Sequence, residues 1–135
     1  MKNLALIAVI AGAICAMGSS ALAHHSFAMF DMSRKIDVKG SVKEIQWTNP
    51  HVWLQMVVTE NGQQKTYDFE GGAVAVLKRF GWNKDAVKAG DTITLTAHPY
   101  KDGRPGGSID HVTLADGRKI GGGDGIPGAV VAGPK

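Results

Sequence analysis

The residues best suited to chemistry are two histidines, His24 and His25, which directly follow an A-x-A motif that ends at Ala23. If the chain is cut before His24, that residue offers a free α-amine beside its own imidazole, and the pair can chelate a metal ion. Imidazole and amine nitrogens suit Cu(II) or Ni(II), and copper stands highest in the order of divalent affinities. Three interpretations stay open: a copper site, a solvated terminus without a function, and a polar lead-in to Phe27–Phe30.

A second group of chemically useful side chains surrounds His51, which follows an Asn49-Pro50 pair and lies between Trp47 and Trp53. Pro50 fixes its own φ and biases Asn49 toward an extended conformation, so this loop is stiff. One interpretation is a small aromatic ligand pocket. The other is structural: Asn49 caps the turn, His51 bonds to the backbone, and the indoles fill the end of the domain.

Two further histidines, His98 and His111, fall in predicted strands. Each alone is typical of a structural histidine, but His98 and His51 become candidate metal ligands if they converge with the amino-terminal pair. His111 follows Asp110, and successive side chains of a strand point to opposite faces of the sheet. The sequence therefore predicts that Asp110 and His111 do not form a dyad.

The loop 101–107, KDGRPGG, carries one cation of interest, Arg104. A guanidinium at this position could pair with a carboxylate or phosphate on a ligand. The alternative is a solvated turn in which Gly106 and Gly107 serve only the backbone conformation.

Catalytic motifs are absent from the sequence. It has no G-x-S-x-G, no H-E-x-x-H and no glycine-rich phosphate loop. The single cysteine, Cys15, precedes the expected cut, so no thiol nucleophile would remain. The sequence predicts a protein that is not an enzyme.

Residues 1–23 have the features of a secretory signal peptide: Lys2, an apolar run over Leu4–Met17, and the A-x-A motif. The run of about 14 residues is shorter than the ~20 that a membrane span needs. We therefore expect a periplasmic or secreted protein, cut between Ala23 and His24, with no membrane span in its mature form.

The elements that must position the candidate residues are predicted to be mostly strands. The predicted strands cover 35–48, 52–59, 64–70, 92–98 and 108–115, with one short helix over 73–80. The apolar alternation of the first strand slips by one residue between Val42 and Ile45, which indicates a β-bulge. Asn61-Gly62 predicts a tight hairpin turn.

A short helix between the third and fourth of five strands is typical of the OB-fold, a partly open Greek-key barrel. The sequence thus predicts a mainly β protein, a five-stranded antiparallel OB-like barrel; an open α+β sheet is the alternative. An amino-terminal arm over 24–34 would precede the barrel at 35–120, and a flexible Gly/Pro-rich tail over 121–135 would follow it.

Several motifs together resemble a family of small, secreted bacterial proteins, mostly proteobacterial, of unknown function. In order along the chain they are AHHSFAMFD, GSVKEIQWTNPHVWL, FEGG, GW, KAGD and DGRPGGS. The resemblance implies an exported single-domain protein and carries no established activity, cofactor or catalytic residue.

Three functional hypotheses follow from the sequence. The first is an exported, non-enzymatic binding module for a small ligand, with Trp47, Asn49, His51, Trp53 and Arg104 as ligand-binding residues. The second is a periplasmic copper-binding protein that uses His24, His25, His51 and His98, copper being the only cofactor indicated. The third is an accessory domain that docks on an envelope protein. The net charge of +3, with interspersed signs, predicts no nucleic-acid partner.

Overall fold

The computed structural model describes residues 27–121. The predicted signal peptide over 1–23, His24, His25 and the predicted tail beyond Gly121 lie outside the described residues. The described chain forms a short 3-10 turn, six strands and one helix. Their bounds are Phe27–Met29 for the turn, β1 Ile36–Gln46, β2 Trp53–Glu60, β3 Gln63–Glu70, α1 Val74–Arg79, β4 Thr92–Pro99, β5 Gly106–Thr113 and β6 Lys119–Gly121.

The first five strands close into a barrel. Each strand pairs with its neighbours in the order β3-β2-β1-β4-β5, and β3 also pairs with β5 to complete the circle. This is the strand order of the OB-fold, so the predicted mainly β barrel with one short helix is confirmed. The prediction of a wholly antiparallel barrel is wrong in one pair: β3 and β5 run parallel, with Phe69 opposite Gly107.

The bend in β1 is the β-bulge that the apolar pattern predicts. The register with β2 shifts between Val42 and Glu44, and β1 pairs with β2 on one edge and with β4 on the other. Gly40 lies beside β2 so closely that a Cβ atom there would come within 2.5 Å of the Val57 carbonyl oxygen. The bulge and this close approach let the long strand β1 bend, so that it can pair with both β2 and β4.

The closing pair of strands depends on Gly106 and Gly107. A Cβ on Gly106 would overlap the Asp68 carbonyl oxygen on β3, and one on Gly107 would overlap the His98 carbonyl oxygen on β4. Gly106 also has a φ of 128°, which favours glycine. These two residues therefore serve close backbone contact, and the loop that carries Arg104 is fixed directly before them.

The barrel is filled by aliphatic side chains and a few aromatic ones from every strand. β2 shows the alternation most clearly, since Leu54, Met56 and Val58 are buried. The core also contains Phe69, Leu77, Trp82, Val87, Leu95, Ile109 and Val112. Leu77 of α1 and Val87, which follows the helix, are fully buried in this core.

Local turn chemistry agrees with the sequence. Asn61 and Gly62 both have positive φ, as a tight β2–β3 hairpin requires. Gly81 follows Phe80, the C-cap residue of α1, and has a φ of 92°, the left-handed conformation that commonly ends a helix. β6 forms the short return strand after the Asp116-Gly117 turn and includes Gly121, one residue beyond the predicted barrel.

The amino-terminal arm is docked on the barrel by one aromatic side chain and two backbone hydrogen bonds. Phe30 is only 2% exposed and forms an isolated antiparallel β-bridge with Tyr100, the residue that follows β4. The Asp31 amide donates to the Pro99 carbonyl at 2.8 Å, and the Lys101 amide donates to the Met29 carbonyl at 2.9 Å. Phe27 and Met29, by contrast, are 40% and 41% exposed.

Among the described residues, no helix has the length and apolar character needed to cross a lipid bilayer.

Candidate ligand-binding groove

The outer face of β2 and β3 carries polar side chains and one indole. Residues that alternate with the buried Leu54 and Phe69 point away from the barrel interior, and the strand register pairs them across the sheet. Trp53 lies opposite Glu70, and Gln55 lies opposite Asp68. The Gln55 amide donates to an Asp68 carboxylate oxygen at 2.6 Å, which holds both side chains in place.

A groove of about 310 Å³ lies between this face and the β4–β5 loop. Its lining combines two aromatic side chains, one cation, one carboxylate, one threonine and a proline. The residues are Trp53, Thr66, Asp68, Tyr100, Arg104 and Pro105. A smaller depression of about 190 Å³ adjoins it, lined by Glu44, Gln46, Trp53, Gln55 and Asp68. Trp53 and Asp68 belong to both, and the Trp53 side chain is exposed to solvent.

Arg104 is held over the groove by a stack of side chains. Its guanidinium lies over the Tyr100 ring at 3.8 Å from the ring centroid, and the Phe30 ring lies 4.9 Å from that of Tyr100. The Met29 sulfur accepts a long hydrogen bond from Arg104 Nη2 at 3.6 Å. The amino-terminal arm thus helps to position Arg104, the only cation among the described residues that line the groove.

Tyr100 supplies a neutral hydroxyl at this position. Burial raises the pKa of the Tyr100 hydroxyl, the positive charge of Arg104 opposes that shift, and the negative charges of Glu70 and Asp68 add to it. The phenol therefore stays protonated at neutral pH, which leaves Arg104 and Asp68 as the charged groups of the groove lining.

Glu70, next to the groove on β3, is a buried carboxyl group paired with His51. Burial raises the pKa of Glu70, and the nearby charge of His51 partly opposes the shift. His51 Nδ1 lies 3.1 Å from Glu70 Oε1 and 3.1 Å from the Gly71 carbonyl oxygen. Because a carbonyl oxygen only accepts, that contact is a hydrogen bond when Nδ1 carries a hydrogen.

A second polar cluster joins β1, β4 and β5. The Asp110 carboxylate accepts from Lys35 Nζ at 2.7 Å and from His111 Nδ1 at 2.8 Å. His111 Nε2 lies 3.2 Å from the Thr96 hydroxyl, which donates to Asp37 at 2.5 Å. Because the Thr96 hydroxyl donates its hydrogen to Asp37, its oxygen can only accept from His111. The contact between His111 Nε2 and the Thr96 hydroxyl is therefore a hydrogen bond only if Nε2, like Nδ1, carries a hydrogen.

The prediction that Asp110 and His111 point to opposite faces is wrong. The β4–β5 register places Thr96 opposite His111 and Ala97 opposite Ile109, so Asp110 is an extra residue in β5. Such a bulge breaks the strict alternation of side chains and turns two successive residues toward one side. Burial works against ionisation of Asp110, but hydrogen bonds from Lys35 and His111 outweigh it and hold the Asp110 pKa below its usual range.

The structure brings together two of the five predicted ligand-binding residues, Trp53 and Arg104. Trp47 instead packs against Trp82, with ring centroids 6.4 Å apart. The Asn49 side chain accepts from the Val74 amide at 3.0 Å and thereby caps the start of α1. Trp47, Asn49 and His51 do not line the groove that Trp53 and Arg104 share.

The candidate metal ligands within the described residues have different partners. His51 contacts Glu70 and Gly71, whereas His98 is buried, with Nδ1 2.8 Å from the Arg34 carbonyl oxygen and Nε2 3.7 Å from Asp110 Oδ1. Over residues 27–121, no three histidine, cysteine, aspartate or glutamate side chains form a group that could hold a metal ion. His24 and His25 lie outside that range.

Comparison with known proteins gives one match. Residues 12–109 match the model of a family of unknown function, DUF6152. The chain belongs to the DUF6152 family. No curated protein and no solved structure matches it. The residues that the DUF6152 model matches include the complete groove lining, from Trp53 to Pro105, whereas the second cluster extends beyond them to Asp110 and His111.

Sequence reasoning missed the polar floor of the groove in this DUF6152 protein. Thr66 and Asp68 alternate with Tyr67 and Phe69 along β3, and this period-two pattern could have assigned them to the outer face. Tyr100 could not be assigned in this way, because its place beside Arg104 depends on the fixed shape of the β4–β5 loop.

Proposed function

We propose that this DUF6152 protein is a non-enzymatic binding module that holds a small ligand against the outer face of β2 and β3, beneath the β4–β5 loop. The observation that carries the proposal is the groove of about 310 Å³ shared by the exposed indole of Trp53 and the stacked guanidinium of Arg104. A concave site with aromatic walls and a few fixed polar groups is typical of a small-molecule site.

The fold supports the same location. In OB-folds the face formed by strands two and three, bordered by the β1–β2 and β4–β5 loops, is the common ligand-binding surface. Here the β4–β5 loop contributes Arg104, while the β1–β2 loop is fixed to α1 through Asn49 and to the Glu70–Gly71 segment through His51. The loop contacts make a largely preformed site, which lowers the entropic cost of binding.

We further propose that the protein works after export, in a form cut between Ala23 and His24. The amino-terminal features of the sequence support this, and mass determination of the protein recovered from its natural host compartment tests it. A mass that includes residues 1–23 would contradict it.

The binding proposal is tested by two-dimensional amide NMR of the mature protein titrated with a panel of neutral sugars, uronic acids, amino acids and aromatic acids. We expect at least one compound to shift the resonances of Trp53, Asp68 and Arg104. Arg118 provides a matched control, because both arginines follow an Asp-Gly pair and their amides bond to its aspartate at 3.1 and 3.0 Å. Absence of any shift at the groove across the panel would contradict the proposal.

Copper binding is a separate proposal and concerns His24 and His25. It is tested by titrating the tag-free mature protein with Cu(II) beside a free HHSF peptide. A dissociation constant no tighter than that of the peptide would rule out a site that the folded protein helps to build.

Docking on an envelope protein is favoured by one observation, the exposure of Phe27 and Met29 on the arm.

A further inference from the structure

We infer that the groove takes a saccharide unit that carries a carboxylate, with its ring against Trp53 and its carboxylate on Arg104. This inference rests on the proposed function and names the chemical class of the ligand. Three observations support it: the exposed indole, the fixed hydrogen-bonding groups beside it, and a stacked cation at one end.

The Trp53 side chain lies on the outer face of β2 and is 36% exposed, although Val52 and Leu54 on either side are fully buried. Trp53 is shared by the groove and the adjoining depression, because it lines both. A pyranose ring presents axial C–H groups on its faces, and these pack on an aromatic ring while its hydroxyls remain at the edge. An indole placed in this way suits a flat, partly apolar ring.

The groups around the indole suit hydroxyls. Asp68 and Gln55 are fixed to each other at 2.6 Å, Thr66 lies on the same face, and Gln46 borders the adjoining depression. A sugar hydroxyl both donates and accepts, so a carboxylate and an amide side by side satisfy it in both directions. An aromatic acid without hydroxyls, such as phenylacetate, would leave the Asp68 carboxylate covered and without a new partner, which costs binding energy.

Arg104 indicates that the ligand is an acid. One face of its guanidinium is covered by Tyr100, while the nearest carboxylate oxygen, that of Asp102, lies 3.7 Å from Nε. Within residues 27–121, its side chain donates only the long hydrogen bond to Met29. Its N–H groups are therefore available in a fixed plane, and a carboxylate is the group that matches two parallel guanidinium donors.

The charge of the surroundings limits that acid to a small negative charge. Among the described residues that line the groove and the adjoining depression, Arg104 is the only cation, whereas Asp68 and Glu44 are acidic. A polyphosphate chain would therefore meet at least as much repulsion as attraction, and phosphate-rich ligands need several cations. A ring with one carboxylate satisfies both Arg104 and the hydroxyl-binding groups.

The test is NMR titration of the mature protein with methyl β-glucuronide and with methyl β-glucoside, which differ only in a carboxylate replacing a CH₂OH group. We expect the glucuronide to bind about tenfold more tightly than the glucoside, which is the gain expected from one hydrogen-bonded ion pair. Its binding should shift the resonances of Trp53 and Arg104. Arg104→Gln should remove the preference and leave weak binding of both sugars. Trp53→Ala should remove binding of both, and Arg118→Gln should leave both affinities unchanged.

Equal affinity for the two sugars, or a preference that survives in Arg104→Gln, would overturn the inference. Tighter binding of phenylacetate than of the glucuronide would overturn it as well, since that acid lacks hydroxyls. In each of these results a ligand still occupies the groove, so the proposed function stands. If no compound of the wider panel shifts groove resonances, the proposed function fails together with the inference. The side chains altered in the three variants are all exposed, and unchanged spectra away from the substituted residue confirm that each variant folds.

Discussion

The Asp110 carboxylate accepts a hydrogen bond at 2.8 Å from Nδ1 of His111, the next residue in the chain. The contact is possible because Asp110 is the extra residue of a bulge in β5 and has no partner on β4. Lys35 reaches the same carboxylate from the residue before β1. One carboxylate therefore fixes the start of β1 to the bulge in β5, across the intervening strand β4.

Asp110→Asn is expected to lower the free energy of unfolding at pH 7 by about 1–3 kcal/mol, the usual contribution of hydrogen bonds to a charged group. The Asp110 pKa is lowered in the folded protein, so its stabilising contribution is present above the unfolded value of about 3.9 and is lost as the pH falls through the folded value. Urea unfolding from pH 7 to pH 3 should show the gap between wild type and variant closing with acid.

Asp85→Asn is the matched control for that experiment. Hydrogen bonding to Lys84 lowers the pKa of Asp85 as well, but this pair is exposed on the surface. Exposed pairs contribute little because water and salt screen them. Equal effects of the two variants would contradict a structural role for the Asp110 contacts.

Gly106→Ala is expected to lower the free energy of unfolding by about 3 kcal/mol, because its methyl group would overlap the β3 backbone at Asp68. Gly103→Ala provides the comparison: φ is also positive there, at 80°, but no atom lies within 4 Å of the added Cβ. That variant should cost about 1 kcal/mol from backbone strain alone. Thermal and urea unfolding measure both, and similar costs would show that the β3–β5 closure tolerates a side chain.

Phe30→Ala is expected to lower the free energy of unfolding by about 3 kcal/mol, since Phe30 is buried against Tyr100. Phe27→Ala removes an exposed ring from the same arm, and its effect should stay within about 0.5 kcal/mol. Phe30→Ala should also weaken any ligand that depends on Arg104, because Tyr100 supports that guanidinium. If the two variants are equally stable, the arm does not contribute to the fold.

Glu70→Gln tests the buried carboxyl beside His51. Burial raises the Glu70 pKa in the folded protein, so the contribution of this group to stability is fully present below its unfolded value of about 4.3 and is lost as the pH rises through its folded value. The stability of wild type relative to Glu70→Gln should therefore fall as the pH rises from 4 to 8. A trend of the opposite sign for Glu70→Gln would contradict the burial argument.

Features that depend on neighbouring residues in the chain could be predicted from the sequence. The bulge in β1 follows from the apolar spacing of Val42 and Ile45, and the Asn61-Gly62 hairpin follows from residues that accept positive φ. The predicted order of three strands, one short helix and two further strands was sufficient to predict the barrel. Trp53 and Arg104 belong to the ligand-binding residues predicted from the sequence, and the structure places both in the lining of one groove.

Features that depend on contacts between distant segments were decided only by the tertiary structure. The parallel β3–β5 pair that closes the barrel, the cap that Asn49 gives to Val74, and the Phe30–Tyr100–Arg104 stack all join residues with no local pattern to connect them. The Asp110 bulge belongs here too, because its position is set by the register with β4 rather than by apolar spacing in β5. Periodicity in a sequence reports which face a residue occupies, whereas partners across the barrel are chosen by register and closure.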